Sequence, residues 1–471
     1  MRNVNKLLKK VFFLVSQQRD ITGRLHTAHK IAAFWITFFV LSQSPAHALK
    51  IEITQGQIRP DPVAITHFHN TDSTLQKLGA DISGVISADL ERSGLFEAVN
   101  RAAFIQTEES LATQLPRFAD WRLIKARFLL CGIIKENGER EIVIDFRFYD
   151  VITGQQMLAL SLTSDRLKWR KIAHMIADSI YTRVTGEKGL FNSQVIYVET
   201  MGARGKNIKK RLMRMDQDGE NVEALTDGKN FVLMPRYSPD GKTVAYLGYV
   251  NKNAHVHIID LSTGKESATG DLGKLLKGFG NMTFAPRFMP DSKSLLMSLV
   301  KDGTSAIYHF DLPTKTLTPL TPHRSIDTSP CPSPDGQHIV FTSDRVREGG
   351  EQIYVMDVSG SNVRRISFGE GKYSQPVWSP RGDLIAFTKQ LRGQFYIGLM
   401  RPDGTEERLI AQGYLTEAPD WAPNGRYLIF TLENRGSNKG QIMMIDLTGN
   451  HQHPIKASRD SSDCTWSPLL N

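Results

Sequence analysis

The sequence is poor in cysteine and lacks a membrane-spanning apolar run, and both absences limit what the protein can be. Only 3 of the 471 residues are cysteine, which is too few for a disulfide framework. The apolar run at residues 31–41 has 11 residues, whereas a helix needs about 20 to cross a bilayer. With 40% hydrophobic residues, the chain is too apolar to be disordered and too polar for a polytopic membrane protein.

Common catalytic signatures are also missing. No G-x-S-x-G elbow, P-loop or H-E-x-x-H pattern occurs. Asp216-Gln-Asp218-Gly219 resembles the start of a calcium loop, but it lacks the final glutamate and fits a turn better. Three H-x-H pairs supply only two imidazoles each, which do not make a metal site: His67/His69, His255/His257 and His451/His453. We therefore expect no enzyme activity, no cofactor and no metal.

The first 48 residues have the pattern of a secretory signal peptide. A basic stretch precedes the apolar run, and Ala46-His-Ala48 follows it as a small-residue cleavage site. Cleavage is expected between Ala48 and Leu49, which predicts a periplasmic protein. A membrane anchor is the alternative interpretation of the same segment.

Most of the positive charge lies in that segment. The chain carries 58 Lys+Arg against 49 Asp+Glu, and residues 1–48 hold +6 of the net +9. The remaining +3 is too small for a nucleic-acid-binding surface, so nucleic acid is excluded as a partner. A local basic run is expected to lie in a solvated loop between strands: Arg204, Lys206, Lys209, Lys210, Arg211 and Arg214. The separation of Cys131, Cys331 and Cys464 favours three buried thiols.

An internal repeat fills the second half of the chain. The phrase Pro235-Arg-Tyr-Ser-Pro-Asp-Gly241 recurs with variations from residues 286, 330, 376 and 419, and in truncated form from 464. Each of the five full copies contains turn residues and leads into an apolar alternating run, such as Leu428-Ile-Phe-Thr431. Steps of 43–51 residues with four short strands each are typical of propeller blades.

The two ends of the repeat region predict how the ring closes. It opens at Val195-Ile-Tyr-Val-Glu199, which matches the second strand of a blade, and ends at Trp466-Ser-Pro468, which matches a first strand. The last strand should therefore complete the opening blade, which gives six blades and no free sheet edge at the junction. The loops before each repeated proline should crowd one mouth of the channel, among them residues 373–375 and 416–418.

The region before the repeats predicts a different domain. Strands fit residues 63–68, 128–134, 141–149 and 156–162, and helices fit 75–92 and 169–184. This pattern indicates an N-terminal α/β domain with a mixed sheet, followed by an all-β six-bladed β-propeller. The predicted divisions are a signal peptide at 1–48, the α/β domain at 49–190 and the propeller at 191–471.

The whole arrangement resembles the TolB family of periplasmic proteins. The supporting phrases are Ile51-Glu-Ile-Thr-Gln-Gly56, residues 88–96, and residues 185–191 leading to Ile196-Tyr-Val198. The resemblance implies a non-enzymatic component of the Tol-Pal system, which supports outer-membrane integrity and constriction at cell division.

The resemblance also implies two partners and the positions that bind them. The lipoprotein Pal would bind at a propeller mouth, at positions that map to Met282, Ala285, Thr328 and Ser329. TolA would bind the mature N-terminal segment, Leu49, Lys50, Ile51, Glu52, Ile53, Thr54 and Gln55. The chain would associate with the envelope only peripherally, through these partners. A periplasmic propeller that binds another ligand or peptidoglycan directly remains the alternative.

The cleavage site is directly testable. N-terminal sequencing of the exported protein should begin at Leu49, because the small residues Ala46 and Ala48 suit signal peptidase. A mature chain that retains Phe38-Phe39 would support the membrane anchor instead.

Overall fold

A mixed five-stranded sheet forms the first part of the fold. The computed structural model describes residues 59–202, 208–250, 253–266, 283–322, 324–346, 350–437, 439–457 and 460–470. The strands are β1 (Asp61–Ile65), β2 (Phe96–Ala98), β3 (Phe128–Asn137), β4 (Glu141–Asp150) and β5 (Gln156–Asp165), in the order β2-β1-β3-β4-β5. β1 is parallel to both neighbours, whereas β3, β4 and β5 are antiparallel. The predicted mixed sheet is therefore confirmed.

Helices cover both faces of this sheet. They are α1 (Ser73–Arg92), α2 (Glu108–Thr113), α3 (Phe118–Leu123) and α4 (Trp169–Thr185), with short 3₁₀ turns at Arg101–Ala103 and Arg166–Lys168. α1 and α4 pack on one face, and α2 and α3 pack on the other. α1 begins where the Asp72 carboxylate accepts the amides of Thr74 and Leu75, as N-cap residues do.

Six four-stranded sheets follow, as the repeat predicts. Blades one to three contain β6 (Gln194–Met201), β7 (Lys209–Asp216), β8 (Glu223–Ala224); β9 (Phe231–Tyr237), β10 (Thr243–Val250), β11 (Asn253–Asp260), β12 (Lys265–Glu266); and β13 (Thr283–Phe288), β14 (Ser294–Lys301), β15 (Thr304–Asp311), β16 (Thr316–Pro319). Blades four to six contain β17 (Asp327–Pro332), β18 (His338–Ser343), β19 (Gln352–Asp357), β20 (Arg364–Arg365); β21 (Lys372–Trp378), β22 (Ile385–Leu391), β23 (Gln394–Met400), β24 (Arg408–Gly413); and β25 (Leu415–Trp421), β26 (Tyr427–Glu433), β27 (Gly440–Asp446), β28 (Gln452–Pro454).

The final strand closes the ring as predicted. β29 (Ser461–Trp466) pairs antiparallel with β6 and becomes the inner strand of the first blade. The Trp466 indole also donates to the Ser193 hydroxyl at 2.8 Å. The three cysteines are buried and unpaired, and burial raises the pKa of the Cys131 thiol to about 12. None of the helices among the described residues is both long and apolar enough to span a membrane.

The two regions share a hydrophobic core. The core under α1 and α4 continues through Leu190 and Phe191 into blades one and six, where it includes Tyr197, Tyr427 and Trp466. The segment after α4 is therefore packed into this core. Residues 57–471 form one compact unit, so the proposed division at residue 190 remains a prediction.

Charged side chains lie at the centre of the propeller. The residues that follow the repeated proline, or its equivalent, are Arg236, Arg287, Cys331, Val377, Asp420 and Thr465. Arg287 contacts Asp420 at 3.1 Å, and the other carboxylate oxygen accepts the Thr465 hydroxyl and the Trp466 amide. Arg236 is buried and donates to the Pro235 and Cys464 carbonyls. These side chains join opposite parts of the ring.

Asp420 should be needed for stability at neutral pH. Burial alone would raise its pKa, but Arg287 and Arg236 outweigh burial and hold the pKa below the ordinary value of 3.8. Asp420→Asn removes the negative charge and leaves the buried Arg236 and the partly buried Arg287 without it, so unfolding should become easier by about 3–5 kcal/mol at pH 7. The charge contributes above the unfolded pKa, and this contribution is lost as the pH falls through the lower folded pKa.

Urea unfolding of both proteins at pH 7 and at decreasing pH checks this prediction. Glu406→Gln is a matched control, because the Glu406 carboxylate is 63% exposed in its pair with Arg401 and its loss should cost less than about 1 kcal/mol. Equal stability of Asp420→Asn and the wild type at pH 7 would contradict the predicted role.

Candidate functional site: the free mouth of the propeller

The two mouths of the propeller differ in their surroundings. Neighbouring inner strands contact one another all round the channel. The turns that follow inner strands in blades five and six lie beside the α/β region, where Arg381 and Arg426 pair with Glu187. The Tyr427 hydroxyl donates to the Ser93 carbonyl at 2.7 Å on the same side. The inner strands therefore begin at the opposite mouth, which we call the free mouth.

Every inner strand has a β-bulge near the free mouth. Pairing with the second strand shifts register at the repeated proline in five blades, and at Cys464, which takes its place, in blade one. The residue before this position has φ of 49–53° in five blades: Met234, Ser329, Gln375, Ala418 and Asp463. None of these is glycine, so each backbone is in a region that costs a non-glycine residue about 1–3 kcal/mol. Bulges re-aim side chains and are common beside functional sites.

Neighbouring blades hold these bulges in place. The Gln375 side-chain oxygen accepts the Ala418 amide at 2.8 Å and the Thr388 hydroxyl at 3.0 Å. The Asp463 amide donates to the Thr431 hydroxyl at 3.2 Å. In blades six and one, the backbone amide at the bulge is thus bonded across a blade boundary, which holds this part of the mouth in one arrangement.

An ion pair fixes the start of the inner strand in blade four. The fully buried Asp327 carboxylate accepts two bonds from Arg345, each of 3.1 Å. The Arg345 guanidinium lies 5.1 Å from the Phe341 ring centre and 4.8 Å from that of Tyr354. These contacts hold the strand segment that presents Thr328 and Ser329, both half-buried at the rim.

Acidic side chains lie at the rim of blades six and one. Burial, together with the charges of Asp463 and Glu433, raises the pKa of Glu417 to about 7 against the opposing effect of Lys210. This part of the rim therefore changes charge near neutral pH. Together, the free mouth offers a rigid ring with polar, acidic and apolar positions, which suits binding of a protein surface.

The predicted partner-binding residues fall partly within this mouth. Thr328 and Ser329 lie in β17, and Ala285 lies in β13, where only its backbone is described. Met282, the cleavage site Ala48/Leu49 and the segment Leu49 to Gln55 lie outside the described residues. The loop prediction for residues 373–375 and 416–418 was wrong, because both sets belong to inner strands that begin before the proline.

The basic run was also placed incorrectly in part. Lys209, Lys210, Arg211 and Arg214 lie in strand β7 and not in a loop. Arg211 pairs with Glu199, and Arg214 pairs with Glu223. These two charges are therefore balanced within blade one. Arg204 and Lys206 lie outside the described residues.

A second polar cluster, which sequence reasoning missed, lies between the α/β region and blade one. Gly219 donates to the Asp216 carbonyl, so the predicted turn is confirmed, but Asp218 also contacts Arg170 of α4. Asp89, His174 and Asp218 lie close together there. Arginines already occupy both carboxylates, which favours an ionic contact over metal binding. Asp89 and Asp218 lie 129 positions apart in the sequence, so no local sequence pattern predicts their contact.

Comparisons with known proteins agree with this architecture. Family models match residues 49–157, described as the TolB amino-terminal domain, and residues 181–470, described as the TolB beta propeller domain. The Tol-Pal system protein TolB of Rickettsia bellii is 43% identical over 434 residues, which is 89% of this chain and 95% of that protein.

Two further comparisons extend the match. The Tol-Pal system protein TolB of Gluconobacter oxydans is 38% identical over 424 residues, 89% of this chain and 88% of that protein. The crystal structure of TolB from Acinetobacter baumannii superimposes with a TM-score of 0.75 at 25% identity, covering 87% of this chain and 97% of that one. Since both domain models match in order and relatives align over 89% of the chain, the chain belongs to the TolB family.

Proposed function

We propose that the protein is a non-enzymatic periplasmic adaptor of the Tol-Pal system. Its relatives carry that system's name and align with 89% of this chain. The rigid free mouth, with its cross-blade bonds and buried Asp327–Arg345 pair, is the observation that carries the proposal. A preformed surface of this kind binds a partner without a large ordering cost.

In this proposal, Pal docks on the free mouth and TolA binds the mature N-terminal segment. Thr328 and Ser329 would contact Pal from blade four, and Met282 and Ala285 from blade three. Residues 49–55 alternate apolar and polar side chains, which suits addition of a strand to a sheet edge. Through these contacts the adaptor would support outer-membrane integrity and envelope constriction during division.

A bulky charge at the free mouth should weaken Pal binding. Thr328→Arg places a guanidinium in the proposed interface, where an unpaired buried charge costs about 3–5 kcal/mol. The dissociation constant should therefore rise at least about 100-fold in a calorimetric titration. Ala285→Arg should act in the same direction.

Thr316→Arg provides the control, because Thr316 is exposed on the outer strand of blade three. It should bind Pal like the wild type. If Thr328→Arg and Ala285→Arg bind Pal with the affinity of the wild type, Pal contacts another surface. Binding to purified sacculi without Pal would instead favour direct recognition of peptidoglycan.

Removal of residues 49–55 should abolish TolA binding. The truncated protein should still unfold cooperatively, since the described fold begins after this segment. Calorimetry with TolA and thermal unfolding measure the two effects. If the segment also docks on its own protein, Pal affinity should change when TolA is saturating, and TolA affinity should change reciprocally with Pal. Normal TolA binding by the truncated protein would exclude this segment as the site.

A further inference from the structure

The cluster between the α/β region and blade one joins three elements. α1 contributes Asp89 and Arg92, α4 contributes Arg170 and His174, and the turn after β7 contributes residues 216–218. Asp89 is fully buried and His174 is 2% exposed. The contact between the α/β region and blade one, which we call the joint, is therefore made in part by side chains that are shielded from solvent.

The His174 ring lies between two carboxylates from different parts of the chain. Its Nδ1 atom is 2.6 Å from Asp89 Oδ2, within hydrogen-bond distance. Its Nε2 atom faces Asp218 Oδ2 at 3.9 Å and has no hydrogen-bond partner among the described residues. A ring that is protonated on both nitrogens would be attracted to both carboxylates, whereas a neutral ring keeps only the Asp89 bond.

The surrounding charges leave room for one more positive charge. Arg92 donates to Asp89 at 2.7 Å, and Arg170 contacts Asp218 and lies 4.0 Å from Asp216. Three carboxylates therefore face two guanidinium groups, so an imidazolium would balance the cluster. Gln217 completes it by donating to Asp89 and accepting from Arg92.

Two further titratable groups lie around this cluster. Asp178 follows His174 by one helical turn, and burial raises its pKa to about 6 although it accepts the Phe191 and Asn192 amides. His453 lies beyond Arg92 on the blade-six side, and burial lowers its pKa to about 4. Asp178 adds negative charge on the α4 side above its pKa, whereas His453 is neutral near physiological pH.

We propose that protonated His174 is a pH-dependent bridge that fastens the turn after β7 to helices α1 and α4. Deprotonation weakens the Asp218 half of the bridge and leaves the Asp89 half in place. Since the proposed TolA segment precedes the α/β region and the proposed Pal surface is on the propeller, pH would tune how firmly the two are coupled. That consequence rests on the proposed function, but the bridge itself does not.

The electrostatics of the cluster support a protonated ring. Burial would lower the pKa of His174, but Asp89, Asp218 and Asp216 outweigh burial and raise it above 6.5. A raised folded pKa means that the stabilisation is fully present below the unfolded value. It is then lost as the pH rises through the folded pKa.

Three variants separate the bridge from simple packing. His174→Asn keeps a neutral donor near Asp89 but cannot titrate, and Asp218→Asn removes the second carboxylate while His174 remains. Asp227→Asn is the control, because this carboxylate lies in the connection from blade one to blade two and is 61% exposed in its pair with Lys229. All are compared in the full mature chain.

Two measurements report on the joint. Nuclear magnetic resonance of ring-labelled histidine, assigned with His174→Asn, should give His174 a pKa above 6.5 that falls in Asp218→Asn but not in Asp227→Asn. Hydrogen exchange follows the Gln217 amide, which donates to Ser193, and the Phe191 and Asn192 amides. After correction for intrinsic exchange rates, these amides should open more often at pH 8.5 than at pH 6, by roughly tenfold for each unit by which the His174 pKa exceeds 6.5. In His174→Asn, the frequency of opening should be nearly independent of pH.

Three outcomes would overturn the proposal. One is a His174 pKa at or below 6.5. Another is the same pH dependence of exchange in the wild type and Asp218→Asn, a comparison that holds even if His174→Asn does not fold. The third is slower exchange of these amides when zinc is added at pH 8.5, an effect that Asp218→Asn abolishes. This result would show that a metal binds between His174 and Asp218. None of these outcomes depends on Pal or TolA binding.

Discussion

The pairing of β29 with β6 is the constraint on which the rest of the structure depends. It joins residues 262 to 271 positions apart and turns an open array of blades into a ring. It also delivers Thr465 and Trp466 to the Asp420 carboxylate and the Trp466 indole to Ser193. Without this pairing, the first blade would lack its inner strand, the central ion pair would lose two donors, and the edge of β6 would be exposed.

Closing the ring in this way also gives its two mouths different roles. At one mouth, the turns of blades five and six bond to residues 187–188 and to the end of α1, so this part of the surface is covered by the protein itself. At the other, bulges interrupt the inner strands, and in blades six and one a side chain of the neighbouring blade accepts the interrupted backbone amide. This asymmetry explains how one mouth can be fixed to the α/β region while the other keeps a defined shape for a partner.

Buried charges define both the centre of the propeller and its joint with the α/β region. Asp420 lies among arginines in the channel, and Asp89 and Asp218 lie among arginines and His174 at the joint. Buried ion pairs add little net stability over apolar packing, but breaking one is costly. Each cluster therefore favours one arrangement of distant elements, which the apolar core alone would specify less strictly.

The sequence alone determined the blade number, the closure of the ring and the mixed sheet. These features follow from local signals: turn residues at a regular spacing, alternating apolar residues, and strand patterns at the two ends of the repeat. Helices α1 and α4 were predictable for the same reason, since the apolar positions 75, 78, 82 and 86 follow the helical period.

The tertiary structure alone decided where the inner strands begin and which charges meet. The bulge residues share no residue type, because their left-handed backbone is imposed by pairing with the next strand and by bonds from neighbouring blades. Asp89 and His174 meet because α1 packs against α4, and Asp218 joins them because the turn after β7 contacts both helices. Such contacts join residues far apart in the chain, and the local patterns from which a sequence is interpreted contain no trace of them.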